Sequence, residues 1–496
     1  MTARPKLVTG ARVFDLDGDV DQPPQHDILI EAGRIAALGP EASARAAGRP
    51  EVERVPADGL MAIPGLVNAH YHSHDVLLRG LFEQMPLDVW GFYSFPANYT
   101  RRSGREVRLR TLLGAADCLA NGITTIQDMV TVVGPDREHV GEILSAYGAI
   151  GTRVVLALQL GDRAAEEAVP FWDELPESVR ARLPGRLDTA PTRAMIEELL
   201  DEKAPPRLTW GLGPSAPQRS SDTLLEWTAK QAERHGLQVF THLYEARSQA
   251  VLARREGGSL LSTLERFGLL SPHLTIAHGV WIDDDEIDRF GASGASLACN
   301  PMSNMKLLNG FAPVRRYADA GANLSLGCDN CSGNDAQSLF QSMKMFALYW
   351  GMQTAAGETG AAREAFRAAT LGGAQALGLA GEIGALKPGY RADMVLIDLA
   401  APCYRPLNSA LRQLVYGETG TAIRSVMVEG EIVLQDGRLV GQSEAQLKAD
   451  AEAARGASRE EIAAIGRRNA EFVGDLLAAY ERADAYPLPF DRFSMR

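Results

Sequence analysis

Two histidines, His70 and His72, close the run Ile63-Pro64-Gly65-Leu66-Val67-Asn68-Ala69-His70-Tyr71-His72. Alternate side chains of a β-strand share a face, so both imidazoles would point the same way at the strand's C-terminal end. Two imidazoles aimed together begin a metal site. Three more apolar runs end in residues of ligand type: Phe240-Thr241-His242, Ile276-Ala277-His278 and Gly327-Cys328-Asp329. The chain has nine histidines, and four of them stand at such ends. Singly, each has an ordinary reading. A strand histidine is most often a hydrogen-bonded core residue, and an aspartate after a strand is most often a turn residue. The ordinary readings lose because one architecture would bring all these positions together.

That architecture is read from the alternation along the chain. Short apolar runs lie at Leu60–Val67, Ile123–Gln127, Arg153–Leu158, Arg207–Leu212, Leu237–His242, Leu274–His278, Ala295–Cys299 and Asn323–Cys328, with segments of helical composition between them. Eight such units predict a (β/α)8 TIM barrel, whose strand C-termini meet at one mouth. Closure places the eighth strand beside the first, so Asp329 can approach His70 and His72, with His242 facing them. Three imidazoles and a carboxylate, with room for water, make a catalytic metal set for one divalent ion. Zinc fits this mix best, and iron is the alternative. Glu245 can reach water or substrate without ligating, and a carboxyl there can shuttle a proton. Asp329 can touch both metal and water, and His278 can hold the water or steady a tetrahedral intermediate.

Flanking the barrel, short strands before residue 60 and again after 385 predict a small β-sandwich built from both chain ends. The expected boundaries are 1–60 and 385–440 for the sandwich, 61–384 for the barrel and 441–496 for a helical extension, read as helices at Glu444–Arg455 and Glu460–Ala483. Two connections exceed what a barrel needs. One carries the aromatic stretch Asp88–Phe95 and the other spans Asp162–Asp188. Such loops either cover a pocket or pack a subdomain or oligomer contact, and both readings stand.

The composition, 46% hydrophobic and 23% charged, is that of a folded soluble chain. A formal net charge of −13 disfavours nucleic acid as a partner. No apolar run reaches membrane-spanning length, and the first residues lack the apolar core of a signal peptide, so no membrane partner and a cytoplasmic location are expected. Five cysteines argue against a disulfide framework, and Cys328 and Cys331 read as incidental thiols around Asp329. His139, His235 and His273 read as ordinary surface or loop residues, and His26 and His74 have no independent support.

Together these residues resemble the amidohydrolase superfamily, in its branch of aminohydrolases and chlorohydrolases. Pro64–His72 is similar to the family's first-strand signature, and His242-Leu243-Tyr244-Glu245 to its His-x-x-Glu. Ala277–Trp281, Asn300–Leu307, Gly327-Cys328-Asp329 and Ala392-Asp393-Met394-Val395 resemble its sixth, seventh and eighth strands and its returning sandwich strand. The resemblance implies that His70, His72, His242 and Asp329 hold one metal. It implies that Glu245 protonates a ring nitrogen, that His278 and Asp329 activate water, and that an amino group on a C=N carbon leaves as ammonia. Binuclear relatives bridge two metals through a modified lysine on the fourth strand, and Arg207–Leu212 contains none. The runner-up reaction cleaves an amide or ureido C–N bond or displaces chloride.

Three departures bear on substrate. Asp75 stands where many relatives carry Gln or Met, and a buried carboxylate there would suit a cationic or donor-rich group. Pro214-Ser215-Ala216 replaces the Pro-His-Ala of nucleoside-type relatives, which tilts the reading toward a free base or other heteroaromatic such as a purine, pyrimidine, pterin or triazine. The loop Asp329–Asp335 lacks the usual Asp-Gly start. Trp90, Gln218 and Asn330, past the first, fourth and eighth strands, join Asp75 as candidates for contacting a small-molecule substrate. A homo-oligomer, dimer or tetramer, is expected.

Overall fold

The computed structural model describes residues 4–183, 185–355 and 357–494. Among them the strands form two sheets. One is parallel and follows chain order: β1 (Leu66–His72), β2 (Ile123–Val130), β3 (Arg153–Leu160), β4 (Leu208–Pro214), β5 (Gln238–Leu243), β6 (Leu274–His278), β7 (Ser296–Cys299) and β8 (Asn323–Leu326). Strands β1 and β2 are buried along their whole length, as expected for parallel strands covered on both faces. Beyond β8 the chain runs through Gly327 and Cys328 to Asp329 and Asn330, which pair in parallel with Tyr71 and His72. The Cys328 N–H also donates to the His70 carbonyl at 3.2 Å. These bonds join the last strand to the first and set Asp329 beside the two histidines.

The run Leu60–Val67 proves to be two strands. Leu60–Pro64 pairs antiparallel with Met394–Asp398, while β1 begins at Leu66. Gly65 marks the crossing, where an added Cβ would lie 2.1 Å from Thr124 Oγ1. Both sheets bury their part of the run, so the sequence shows no break in hydrophobicity.

The second sheet is mixed and drawn from both chain ends. Lys6–Val13 lies antiparallel to Gln25–Glu31 and parallel to Glu53–Pro56 and, further along, to Leu60–Pro64. Val8, Val13, Ile28 and Ile30 share one core with Met394, Leu396 and Met427, so neither end buries its face without the other. This mixed sheet is tied to the barrel by a buried ion pair. Arg153, first in β3, donates to the two Asp393 oxygens at 3.1 and 3.2 Å. That contact gives the Ala392-Asp393-Met394-Val395 motif its structural purpose.

Helices from the C-terminal extension reach the barrel mouth. Glu444–Ala470 is one continuous helix, longer than the sequence reading allowed, and Val473–Ala485 follows it. Gly456 does not interrupt the first, since the break falls at Glu471–Phe472 instead. Phe472 and Leu476 pack with Val89 and Val179, and Asn469 Nδ2 donates to the Phe92 carbonyl at 2.9 Å. The aromatic stretch therefore packs a subdomain, one of the two readings open to it. Phe92 faces the extension, while Trp90 turns inward among Leu87, Ala246 and Leu307. No helix among the described residues is long and apolar enough to cross a membrane.

Candidate active site

Four imidazoles and two carboxyls meet at the C-terminal end of the barrel, all of them buried. The Nε2 atoms of His70 and His72 lie 3.5 and 3.6 Å from Asp329 Oδ1. His242, one residue before the end of β5, sets its Nε2 3.3 Å from that of His72. His278 ends β6, with Nε2 3.5 Å from Glu245 Oε1 and 3.8 Å from Asp329 Oδ2. His70, His72 and His242 lie within strands of the parallel sheet, His72 paired with Asn330 and His242 with Ala277, and His278 pairs with Leu243 at the very end of its strand. The turns that carry the rest leave the sheet abruptly. Tyr244, His278 and Asp329 have φ of 49°, 73° and 62°, a left-handed region that costs a non-glycine residue about 1–3 kcal/mol.

The hydrogen bonds of the rings show what the site is built to hold. His72 Nδ1 lies 2.7 Å from the Met129 carbonyl and His242 Nδ1 lies 2.6 Å from that of Ser215. A carbonyl only accepts, so each Nδ1 carries the proton and each Nε2 a lone pair. Burial lowers the pKa of His70, His72 and His242, that of His72 to about 3, so the rings are neutral at pH 7. The His72 and His242 lone pairs then face one another at 3.3 Å, an arrangement that calls for a shared cation. His70 Nε2 is buried without any hydrogen-bond partner. Burial would raise the Asp329 pKa, but the His70 ring 3.5 Å away and the neighbouring His278 hold it well below the usual carboxylate range. Three neutral imidazoles and one anionic carboxylate fit a single divalent metal ion. The sets His70, His72, His242 and His70, His278, Asp329 are each compact enough to share one.

Two groups stand beside this set with other chemistry. Asn304 Oδ1 accepts from His278 Nδ1 at 2.8 Å, which leaves His278 Nε2 facing both carboxyls as a proton acceptor. Burial pushes the Glu245 carboxyl up in pKa, and Asp329 adds to the effect. Glu245 is fixed by the Gln249 amide, which accepts its backbone N–H at 2.9 Å, and by Asn309 Nδ2 at 3.3 Å from its Oε1. A carboxyl raised in pKa next to an imidazole is a pair able to hand on protons.

The four residues put forward as substrate contacts are all buried near the mouth but differ in their partners. Asp75 accepts the backbone N–H groups of Cys331 and Ser332 at 2.9 and 2.8 Å and has no exposed surface. Trp90 donates to Ser332 Oγ at 3.1 Å. Asn330 is paired with His72 in the ladder, and its amide lies 3.5 Å from His74 Nε2. Gln218, on the turn after β4, has an Oε1 with no partner.

Asn304 falls within the motif Asn300–Leu307, but its bond to His278 had no signal in the sequence, and neither did Asn309 or Gln249. His139, read as a surface residue, is buried between Asp136 and the Arg102 carbonyl. Cys328 and Cys331 are free buried thiols.

The sequence pattern of the amidohydrolase family matches residues 61–433. The chain belongs to the amidohydrolase family. The 5-methylthioadenosine/S-adenosylhomocysteine deaminase of Syntrophobacter fumaroxidans is 32% identical over 437 residues, 88% of this chain and 94% of the relative. The 5'-deoxyadenosine deaminase of Methanothermobacter thermautotrophicus is 31% identical over 453 residues, 90% of this chain and 97% of the relative. Among solved structures, an adenosine deaminase from Xanthomonas campestris with bound zinc superposes with a TM-score of 0.80 at 26% identity, covering 92% of this chain and 98% of its own. A triazine hydrolase variant shares the fold at a TM-score of 0.79 and 23% identity, covering 91% of this chain and 100% of its own. The chain is an amidohydrolase of the aminohydrolase branch, a metal-dependent hydrolase acting on C–N bonds.

Proposed function

We propose that the protein deaminates a heteroaromatic amine, with His70, His72, His242 and Asp329 as ligands of one metal ion. The observation that carries the reading is the compact set of neutral His70, His72 and His242, with the anionic Asp329 carboxylate 3.5 and 3.6 Å from the first two, beside a carboxyl whose pKa is raised. A divalent ion held there, zinc as in the Xanthomonas campestris adenosine deaminase, supplies the Lewis acidity that makes water an effective nucleophile at neutral pH.

The chain's own residues supply the rest. His278 Nε2 and Asp329 Oδ2, 3.8 Å apart, hold the attacking water and take its proton. Glu245, its pKa raised to about 7 by burial, donates in its protonated form to the ring nitrogen next to the amine-bearing carbon. The C=N bond is thereby polarised, and water adds to give a tetrahedral carbon. The proton taken from water passes to the amino group, which leaves as ammonia, and Glu245 recovers its proton from the ring nitrogen or the hydroxyl as the carbonyl forms. One amine and one water give one carbonyl product and one ammonia. Trp90, Gln218 and Asn330 are the residues offered to contact the ring, Gln218 with an amide oxygen that has no partner among the described residues and could take a donor on the substrate. Ser215 stands after β4, its hydroxyl engaged by Gln159 Nε2 at 2.8 Å, and this short side chain supports a free base over a nucleoside.

Ammonia release from aminopurines, aminopyrimidines, pterins, triazines and adenosine-type nucleosides tests the reading. Turnover of at least one free base above the nucleosides is expected. No ammonia from any of them would overturn deamination, and a marked preference for nucleosides would overturn the free-base part.

A further inference from the structure

Asp329 is joined to the barrel by only a short stretch of sheet pairing. It lies beyond β8, in left-handed backbone, and the two-residue ladder with Tyr71 and His72 is all the sheet pairing it has. Side chains complete the turn instead. Asn68 Oδ1 accepts the Cys328 N–H at 2.9 Å, and Asn334 Nδ2 donates to the Cys328 carbonyl at 2.8 Å. Gln337 Nε2 donates to the Asp329 carbonyl at 3.0 Å. On the far side of Asp329 the next two amides of that run, those of Cys331 and Ser332, both go to Asp75.

Asp75 is the unusual member of this set. It is a fully buried carboxyl for which no arginine or lysine within reach forms a salt bridge among the described residues. Burying a carboxylate without a cation is costly unless its oxygens accept hydrogen bonds. Here each oxygen accepts one backbone N–H, one from Cys331 and one from Ser332. Asn or Gln in its place would present an NH2 to one of those N–H groups, two donors face to face. Asp75 also belongs to the first site-bearing element, three residues after His72 on the turn Ser73–Leu78. It therefore bridges the segment carrying His70 and His72 to the segment carrying Asp329. Ser332 extends the bridge outward, since its Oγ accepts from Trp90 Nε1 on the helix Leu87–Ser94 over the mouth.

We infer that Asp75 is a positioning residue for Asp329: its carboxylate clamps the Cys331 and Ser332 amides and so fixes the strained turn that presents the Asp329 carboxyl to His70, His72 and the metal. This gives Asp75 a task other than the substrate contact its sequence position suggested. The inference rests on Asp329 being a ligand and proton acceptor, as proposed above.

Asp75→Asn, nearly isosteric, tests it, with Asp75→Ser as a second variant retaining one acceptor. Cobalt(II) is the probe. The chelator-treated protein is loaded with Co2+, and its visible absorption, which reports the ligand set, is recorded beside zinc affinity by chelator competition and steady-state kinetics. A thermal midpoint of the metal-free protein within a few degrees of wild type shows that the fold is kept. The expected result is a changed cobalt spectrum, zinc affinity weaker by about 10- to 100-fold and kcat lower by a similar factor with KM little moved. An unchanged spectrum and affinity, or a rise in KM alone, would overturn the inference, the latter in favour of a substrate contact. Asp329→Asn is measured in parallel. If that variant binds zinc and turns over like wild type, the reading of the site itself falls. If it loses both while the Asp75 variants keep both, only the positioning role falls.

Discussion

The barrel mouth holds its reactive residues in two ways. His70, His72 and His242 sit inside the parallel ladder, where neighbouring strands fix them and a backbone carbonyl sets the tautomer of His72 and His242. Asp329, His278 and Glu245 stand at or beyond the ends of the strands, where the chain turns through left-handed conformations and side-chain amides hold it: Gln337 for Asp329, Asn304 for His278, Asn309 and Gln249 for Glu245. In the proposed reaction the three strand histidines and Asp329 gather the metal, a task that demands fixed geometry. Glu245, His278 and the same Asp329 would move protons, a task that demands tuned surroundings. The two groups should therefore fail differently.

The largest effect is expected where the ladder set is broken. His72→Ala or His242→Ala should abolish ammonia release and one-metal binding together, and added zinc should not restore either. Chelation of the wild-type protein should abolish release reversibly, with zinc restoring it. Next come the proton-handling groups. Glu245→Gln keeps the metal but removes the acid, so kcat should fall by about 10²- to 10⁴-fold while metal content by elemental analysis stays near wild type. Metal loss in that variant would erase the distinction between the two groups. The supporting amides rank below: Asn304→Ala frees the His278 ring, and a decrease of about 10- to 100-fold in kcat is expected from steady-state rates, again with metal retained.

The smallest effect on turnover is expected at the opposite end of the barrel. Arg153→Met leaves the Asp393 carboxylate buried without its guanidinium partner. Stability should fall by about 3–5 kcal/mol in denaturant unfolding, with kcat per folded molecule unchanged. A drop in kcat there would mean that the mixed-sheet joint and the mouth are coupled.

The same division explains what could be read from the sequence. The strand ends announce themselves together, because three apolar runs of strand length end in histidine and a fourth in Asp329, and one barrel unites them. The closing of that barrel through Asp329 follows from strand order alone. The supporting amides gave no such signal. Asn304, Asn309 and Gln337 are common loop residues whose partners lie 26, 64 and 8 positions away, a relation only the folded chain makes. Asp75 was conspicuous by its type, yet whether its carboxylate faces a ligand or a backbone turn is a matter of orientation. The strand division at Gly65 was hidden for a different reason, since both sheets bury their share of one apolar run.

The central claim is that a single metal held by His70, His72, His242 and Asp329 makes this chain a deaminase. Stepwise zinc titration of the chelator-treated protein tests it most directly, with ammonia release from the best amine of the panel read at each step. The account predicts activity rising in proportion to zinc and levelling at about one equivalent per chain. Full activity in the metal-free protein, or a rise that levels only at two equivalents, would contradict it.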